Sequence, residues 1–273
     1  MDIWQYVQPL DIAACADRFR NAQPFPSICI DNLLQEDFIN QVAADFPTFD
    51  DVQKMGQGFK AVNERRKFQV TDSSHFKGGV AKLHEVLSSP EFLGIMSGIT
   101  GIENLQADPL LLGGGIHQTG PRGHLDVHVD FNYITERCLH RRLNIIVFIN
   151  KEWHKEWGGA LELWDKNVKV CHNTFLPIFN RCVIFQTSEI SFHGVTAVTC
   201  PEETSRKSFA AYYYTEDNRP EIHQESHSTI FVARPNERWK RYIAMPLERV
   251  QRVIQQSPAL VKGVIKKMVR PTS

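Results

Sequence analysis

The chain has 273 residues, 42% of them hydrophobic, with 31 basic and 31 acidic side chains. That size suffices for a full core in one domain with terminal helical additions, and a neutral chain offers no general attraction to nucleic acid. The N-terminal Met-Asp-Ile-Trp-Gln-Tyr lacks the basic and apolar regions of a signal peptide, no run is long enough to span a bilayer, and Cys15, Cys29, Cys138, Cys171, Cys182 and Cys200 show no Cys-x-x-Cys spacing. A cytoplasmic protein without transmembrane segment, zinc knuckle or disulfide framework is expected.

Residues 1–24 read as irregular or weakly helical and 25–31 as a short strand. Over 35–46, Phe38, Ile39, Val42, Ala43 and Phe46 recur at helical spacing and stop at Pro47, which predicts a helix packing on a sheet. Residues 50–67, polar and glycine-containing with Lys54, Lys60, Arg65, Arg66 and Lys67, read as a loop, either a plain connection or a cover for a site. Residues 79–98 are helical again, with a break at Pro90. The pattern then changes to strand-length runs at 105–116, 125–131, 143–150, 160–164, 182–186, 194–198 and 207–215. These argue for a mainly β sandwich or barrel with flanking helices rather than an alternating α/β sheet. The triple glycine starting at Gly113 reads as a bulge or tight crossing. Helical periodicity returns from Arg238, in a tail where residues 234–273 hold ten basic side chains against Glu237 and Glu248. This tail is either a solvated helical face or a docking surface for an anionic partner or membrane.

The chemistry concentrates at residues 123–132, Gly-His-Leu-Asp-Val-His-Val-Asp-Phe-Asn, which hold two His-x-Asp pairs, His124/Asp126 and His128/Asp130. Residues two apart on a strand share a face, so either pair can offer an imidazole and a carboxylate to one metal ion. The flanking Phe131-Asn132 favours the later pair, while spacing alone leaves the earlier one open. His193, in Ser-Phe-His-Gly-Val-Thr, follows the strand at 182–186 and precedes another, on the return path of a jelly roll. Two histidines and a carboxylate bind Fe(II) on one face and leave the opposite positions for a cosubstrate and oxygen. Arg206 and Ser208 share a face of the strand at 207–215, where a guanidinium and a hydroxyl together grip a carboxylate. His117, His140, His154 and His172 have no partner spacing, and His223 and His227 lie beyond the last core strand. Trp153, Trp157 and Trp164 read as core rather than as a stacking platform.

Six segments occur in a telling order: His128-Val-Asp130-Phe-Asn132, Leu143-Asn-Ile-Ile-Val-Phe-Ile-Asn150, Trp157-Gly-Gly-Ala-Leu-Glu-Leu-Trp164, Asn180-Arg-Cys-Val-Ile-Phe185, His193-Gly-Val and Arg206-Lys-Ser-Phe-Ala-Ala-Tyr-Tyr-Tyr214. Through them, over residues 105–215, the chain resembles the iron(II)- and 2-oxoglutarate-dependent oxygenases, in particular their prolyl-4-hydroxylase-like branch. The resemblance implies a double-stranded β-helix (a jelly-roll, cupin-like barrel), with 1–233 as the oxygenase domain and 234–273 as a basic helical extension. It implies His128, Asp130 and His193 as iron ligands and catalytic residues, and Arg206 on the distal carboxylate of 2-oxoglutarate. O2 is then the second cosubstrate, and ascorbate a further candidate cofactor.

The implied reaction couples decarboxylation of 2-oxoglutarate to succinate with hydroxylation of an unactivated C–H, in a peptidyl prolyl residue or a small molecule. Halogenation, desaturation or epimerisation at the same site, or a silent cupin-like binding protein, are the alternatives. Halogenating relatives vacate the carboxylate position, so Asp130 counts against that one. There is one departure from the branch, Phe148 standing where members often have a tyrosine. Ser208, or Asn144 on the same strand face as Phe148, is expected to supply the missing hydrogen bond.

Overall fold

The computed structural model describes residues 1–217, 226–237, 239, 240 and 245. The N-terminal part carries α1 (Ile12–Asn21), β1 (Ser27–Ile30), α2 (Glu36–Asp45), α3 (Phe49–Met55), the hairpin β2 (Gln57–Lys60) and β3 (Glu64–Val70), then α4 (Gly78–Ser88) and α5 (Pro90–Thr100). Strands follow: β4 (Gln106–Ala107), β5 (Gly115–Val129), β6 (Tyr133–Ile134), β7 (Leu139–Phe148), β8 (Leu161–Trp164), β9 (Cys171–Phe175), β10 (Cys182–Gln186), β11 (His193–Val195), β12 (Arg206–Glu216) and β13 (Ile230–Val232). No helix among the described residues is long and apolar enough to cross a membrane.

The strands run antiparallel in the order β1-β10-β7-β12-β5-β11-β8-β9, with the β2–β3 hairpin and β13 attached to β5. The long β5 belongs to both layers of the barrel. Its residues Ile116 to Thr119 pair with β12 and β3, whereas Leu125 and His128 pair with β11. Between these halves the backbone kinks at Gly120-Pro121-Arg122-Gly123, where Arg122 takes a φ of 63°. A Cβ on Gly123 would lie 2.4 Å from Thr119 Cγ2 and 2.8 Å from the Arg65 carbonyl, so the corner admits only glycine. The result is the double-stranded β-helix expected from the sequence.

Strand alternation separates the core from the chamber. On β7, Leu143, Ile145 and Val147 face the helices, and on β12 Phe209, Ala211 and Tyr213 do the same; with Leu83, Leu87, Phe92, Val42 and Ile39 they form the main hydrophobic core. Each fully buried aliphatic side chain there contributes about 1.5–3 kcal/mol. The alternate residues Asn144, Ile146, Arg206, Ser208 and Tyr212 point the other way, into a cavity of about 380 Å³ between the layers. Phe148 packs below them with Leu161, Leu163, Val183 and Phe185.

Several expectations need correction. Residues 50–67 are not a loop: Thr48 caps α3 in a reciprocal capping box with Asp51, and Gln57 to Val70 form a charged hairpin joined to β5. The run 105–116 is strand only at Gln106–Ala107 and from Gly115, because Asp108 accepts the amides of Leu110 and Leu112 and turns the chain. Residues 12–21 form a regular helix with Asp11 as its N-cap. The helical periodicity expected from Arg238 onward lies, apart from residues 239, 240 and 245, outside the described residues, and so does His223.

Candidate active site

His128 near the end of β5, Asp130 just beyond it and His193 at the start of the neighbouring β11 converge at one end of the cavity. His128 and His193 are register partners, their rings 4.2 Å apart between centroids. Each imidazole bonds through Nδ1 to the carbonyl two residues upstream, His128 to Asp126 at 2.8 Å and His193 to Ser191 at 2.9 Å. That arrangement fixes the tautomer and turns both Nε2 atoms inward. They meet Asp130, His128 Nε2 at 3.5 Å from Oδ1 and His193 Nε2 at 3.4 Å from Oδ2. Among the described residues these three form the one His/Cys/Asp/Glu group with its ligand atoms all within 4.8 Å of each other. Burial, reinforced by His128, pushes the His193 imidazole down to about 3, so it stays neutral and able to bind a metal.

Regular alternation would place His124, Asp126 and His128 on one face, but a β-bulge prevents it. Between the register pairs His193↔His128 and Val195↔Leu125, β5 spends one residue more than β11. The odd-numbered His117, Thr119 and Leu125 therefore share the chamber with the even-numbered His128 and Asp130. His124 instead lines a separate cavity with Val62 and Phe68, and its Nε2 lies 3.1 Å from the Val62 carbonyl. Asp126 is fully buried, with Lys240 Nζ at 2.5 Å and Arg234 Nη1 at 3.5 Å from Oδ1.

Asp130 carries a buried set of partners that the sequence did not announce. Arg141, 1% exposed, places Nη2 2.9 Å from Oδ2, and Asn144 Nδ2 donates to the same oxygen at 2.7 Å. The Asn144 carbonyl in turn accepts from Arg141 Nε and Nη2 and from Thr187. Asn144, expected as a cosubstrate contact, is thus committed to Asp130 and Arg141. The guanidinium stacks on Tyr212 at 3.6 Å and faces Phe131 at 4.7 Å. Burial alone would raise the Asp130 carboxyl, but Arg141, His193 and His128 overcome it and hold it well below the usual carboxylate range.

Deeper in the cavity two cross-strand rows run over β3, β5 and β12. One is Lys67, Thr119 and Arg206, the other Gln69, His117 and Ser208. Arg206 is 4% exposed, donates from Nε to the Gly159 carbonyl at 2.6 Å and from Nη1 to Ser208 Oγ at 3.3 Å, and has no carboxylate partner among the described residues. Gly159 sits at a φ of +68°, where a Cβ would crowd the Arg206 stem at 3.2 Å. Burial pushes Arg206 down to about 10. A buried guanidinium without an acid is costly unless an anion joins it. His117, bonded to the Gly113 carbonyl at 2.9 Å, is pushed down to about 3 by burial and then by Lys67, so it adds no charge to the chamber. Lys67 pairs with Glu64 at 3.1 Å and lies over Phe59. The partly exposed Phe59, Glu64, Lys67, Thr229 and Phe231 mark the open side.

The sequence pattern did not reveal His117, Lys67, Thr119 or Arg141 as part of the site; a strand assignment for 64–70 would have aligned the first three. Trp164 is buried, and Trp153 and Trp157 stack edge-to-face away from the chamber. His227 pairs with Glu189 at 2.6 Å and does not join the cluster.

Residues 114–214 match the family model described as 2OG-Fe(II) oxygenase superfamily. Prolyl 3-hydroxylase OGFOD1 of Mus musculus is 35% identical over 78 residues, a stretch covering 27% of this chain and 14% of that protein. Among solved structures, a Trichoplax adhaerens prolyl hydroxylase in complex with a hypoxia inducible factor peptide has a TM-score of 0.55 at 15% identity, covering 79% of this chain and 93% of that one. A Pseudomonas putida prolyl-4-hydroxylase has a TM-score of 0.52 at 14% identity, covering 76% and 100%. These structures share the fold. Over residues 114–214, which carry the ordered motifs, the chain is thus similar to the 2OG-Fe(II) oxygenase superfamily.

Proposed function

We propose that this protein is a 2-oxoglutarate-dependent dioxygenase that hydroxylates a prolyl residue in a peptide. The observation that carries the reading is the pairing, in one cavity, of a two-histidine, one-carboxylate cluster with a buried arginine that meets no carboxylate among the described residues. The donor set suits Fe(II), and two nitrogen ligands with one carboxylate leave positions open for a chelating cosubstrate. Iron together with 2-oxoglutarate and oxygen supplies the oxidant for C–H hydroxylation.

His128, Asp130 and His193 hold the metal; Arg141 and Asn144 hold the Asp130 carboxylate. Arg206 receives the distal carboxylate of 2-oxoglutarate, with Ser208 and Thr119 as its hydroxyl neighbours in the same rows. Phe148 provides an apolar wall and no hydrogen bond there, and Ile146, Leu161 and Val195 exclude water. Substrate enters on the side of Phe59, Glu64, Thr229 and Phe231. A prolyl peptide is favoured because the relatives that match by sequence or fold are named prolyl hydroxylases.

The test is succinate formation by the purified chain with Fe(II) and 2-oxoglutarate, followed by mass spectrometry of prolyl peptides for the gain of one oxygen. Succinate with no oxygenated peptide, but with an oxygenated small molecule, would move the substrate class. No succinate at any metal loading would end the enzyme reading.

A further inference from the structure

The bulge that separates the two His-x-Asp pairs is held from outside the barrel. Arg234, two residues after β13, reaches across three strands at that point. Its Nη2 donates to the Leu125 carbonyl of β5 at 3.4 Å and to the Val195 carbonyl of β11 at 3.2 Å, the two residues that close the bulge. Its Nε and Nη2 both meet Glu162 Oε2 of β8, at 2.9 and 2.7 Å. Glu162 is the register partner of Gly194, and a Cβ on Gly194 would lie 3.1 Å from Arg234 Nη2 and 3.1 Å from the Val127 amide. The missing side chain makes room for the guanidinium. Arg234 Nη1 and Lys240 Nζ then take Asp126 Oδ1, with His124 Nε2 a further 3.8 Å contact. Asp126 is the residue whose carbonyl bonds His128 Nδ1.

Resting on the metal-centre reading above, we infer that Arg234, assisted by Lys240, is a positioning residue for the metal: it locks the bulge and so aims His128 into the chamber. At the register shift the carbonyls that meet Arg234 are those of Leu125 and Val195, and a strand can relax there by sliding one residue. Arg234 satisfies both carbonyls at once. Its charge is balanced by Glu162 and Asp126, both buried on the same side. The His124/Asp126 motif thus gains a role that is not ligation: Asp126 presents its side chain to the clamp and its carbonyl to the ligand.

The test is Co(II) binding to the full chain without cosubstrate, read as affinity and as the visible absorption of the bound ion. Arg234→Met is expected to weaken the metal by about tenfold to a hundredfold, the usual range for groups that orient metal ligands, and to alter the Co(II) bands. Arg234→Lys and Lys240→Met, milder changes, are expected to show the same spectral change with smaller losses. Leu87→Ala, a core variant remote from the site, serves as the stability control: it lowers the melting temperature while leaving the Co(II) spectrum unchanged. Wild-type affinity and spectrum in all the folded Arg234 and Lys240 variants overturn the inference, even if their melting temperatures fall. Wild-type Co(II) binding by His128→Ala overturns instead the metal-centre reading on which it rests.

Discussion

The two His-x-Asp pairs at the end of β5 have only Val127 between them, yet they occupy different environments. His128 and Asp130 face a chamber shared with His193 and with Arg206, which meets no carboxylate among the described residues. His124 and Asp126 face the β2–β3 hairpin and the residues around Arg234, where Asp126 is met by two cations. The same His-x-Asp pattern meets a second imidazole in one environment and a lysine and an arginine in the other. Identity of side chains sets what each pair could do; the one-residue bulge decides which does it.

Exchanging the two pairs by mutation gives the largest expected effect. His128→Ala or Asp130→Ala abolishes metal binding in equilibrium titration, whereas His124→Ala leaves it within about twofold of wild type. Retained binding in the first set would reverse the comparison.

Next in size is the anion end. Arg206→Ala is expected to raise the 2-oxoglutarate requirement about a hundredfold while metal affinity without cosubstrate stays unchanged; losing charge-assisted hydrogen bonds costs about 1.5–3 kcal/mol each. Ser208→Ala, with one neutral donor lost, should cost about tenfold or less. An equal loss of metal affinity in Arg206→Ala would show that the two ends of the cavity are not separate.

Arg141→Met asks whether the cation beside Asp130 is as necessary as those beside Asp126. Removing one partner of a buried ion pair costs about 3–5 kcal/mol, so thermal stability of the metal-free protein should fall sharply. Bound metal is expected to recover part of it, measured as a larger metal-induced shift in melting temperature than in wild type. An unchanged shift would count against Arg141 compensating the ligand charge.

The smallest effect concerns His117, the third histidine of β5. Its imidazole is held near 3 in the folded chain against about 6.5 when unfolded. A depressed value of this sign gives stability that is fully present above about pH 6.5 and lost as pH falls toward about 3. His193 contributes in the same direction. His117→Gln should therefore show a shallower loss of denaturation free energy over that window, and an unaltered slope would refute the neutral, buried assignment.

Much of this was visible in the sequence, and the reasons it was visible explain what was not. β10 and the apolar stretches inside β7 and β12 could be read as strand-length runs, and period two put Arg206 and Ser208 on one face, while the polar start of β7 at Leu139 to Arg142 went unread and its expected start fell at Leu143. β3, Glu-Arg-Arg-Lys-Phe-Gln-Val, carries its charges as pocket lining and hairpin surface and so imitated a loop. β9, half-exposed throughout, has no apolar face to betray it. Arg141 looked like any surface cation until Asp130, Asn144 and Tyr212 surrounded it. The bulge leaves no mark in composition at all, because it is a property of how many residues two strands spend between the same two rungs.

That last feature has a consequence for how such a centre changes over generations. Side-chain orientation along a strand is a count modulo two, and point substitutions never alter the count. Insertion or loss of one residue within a regularly paired stretch such as Ile116 to Thr119 does, by exchanging inside for outside along one arm of the strand. The centre is therefore tolerant of drift in residue identity around it and brittle to drift in length.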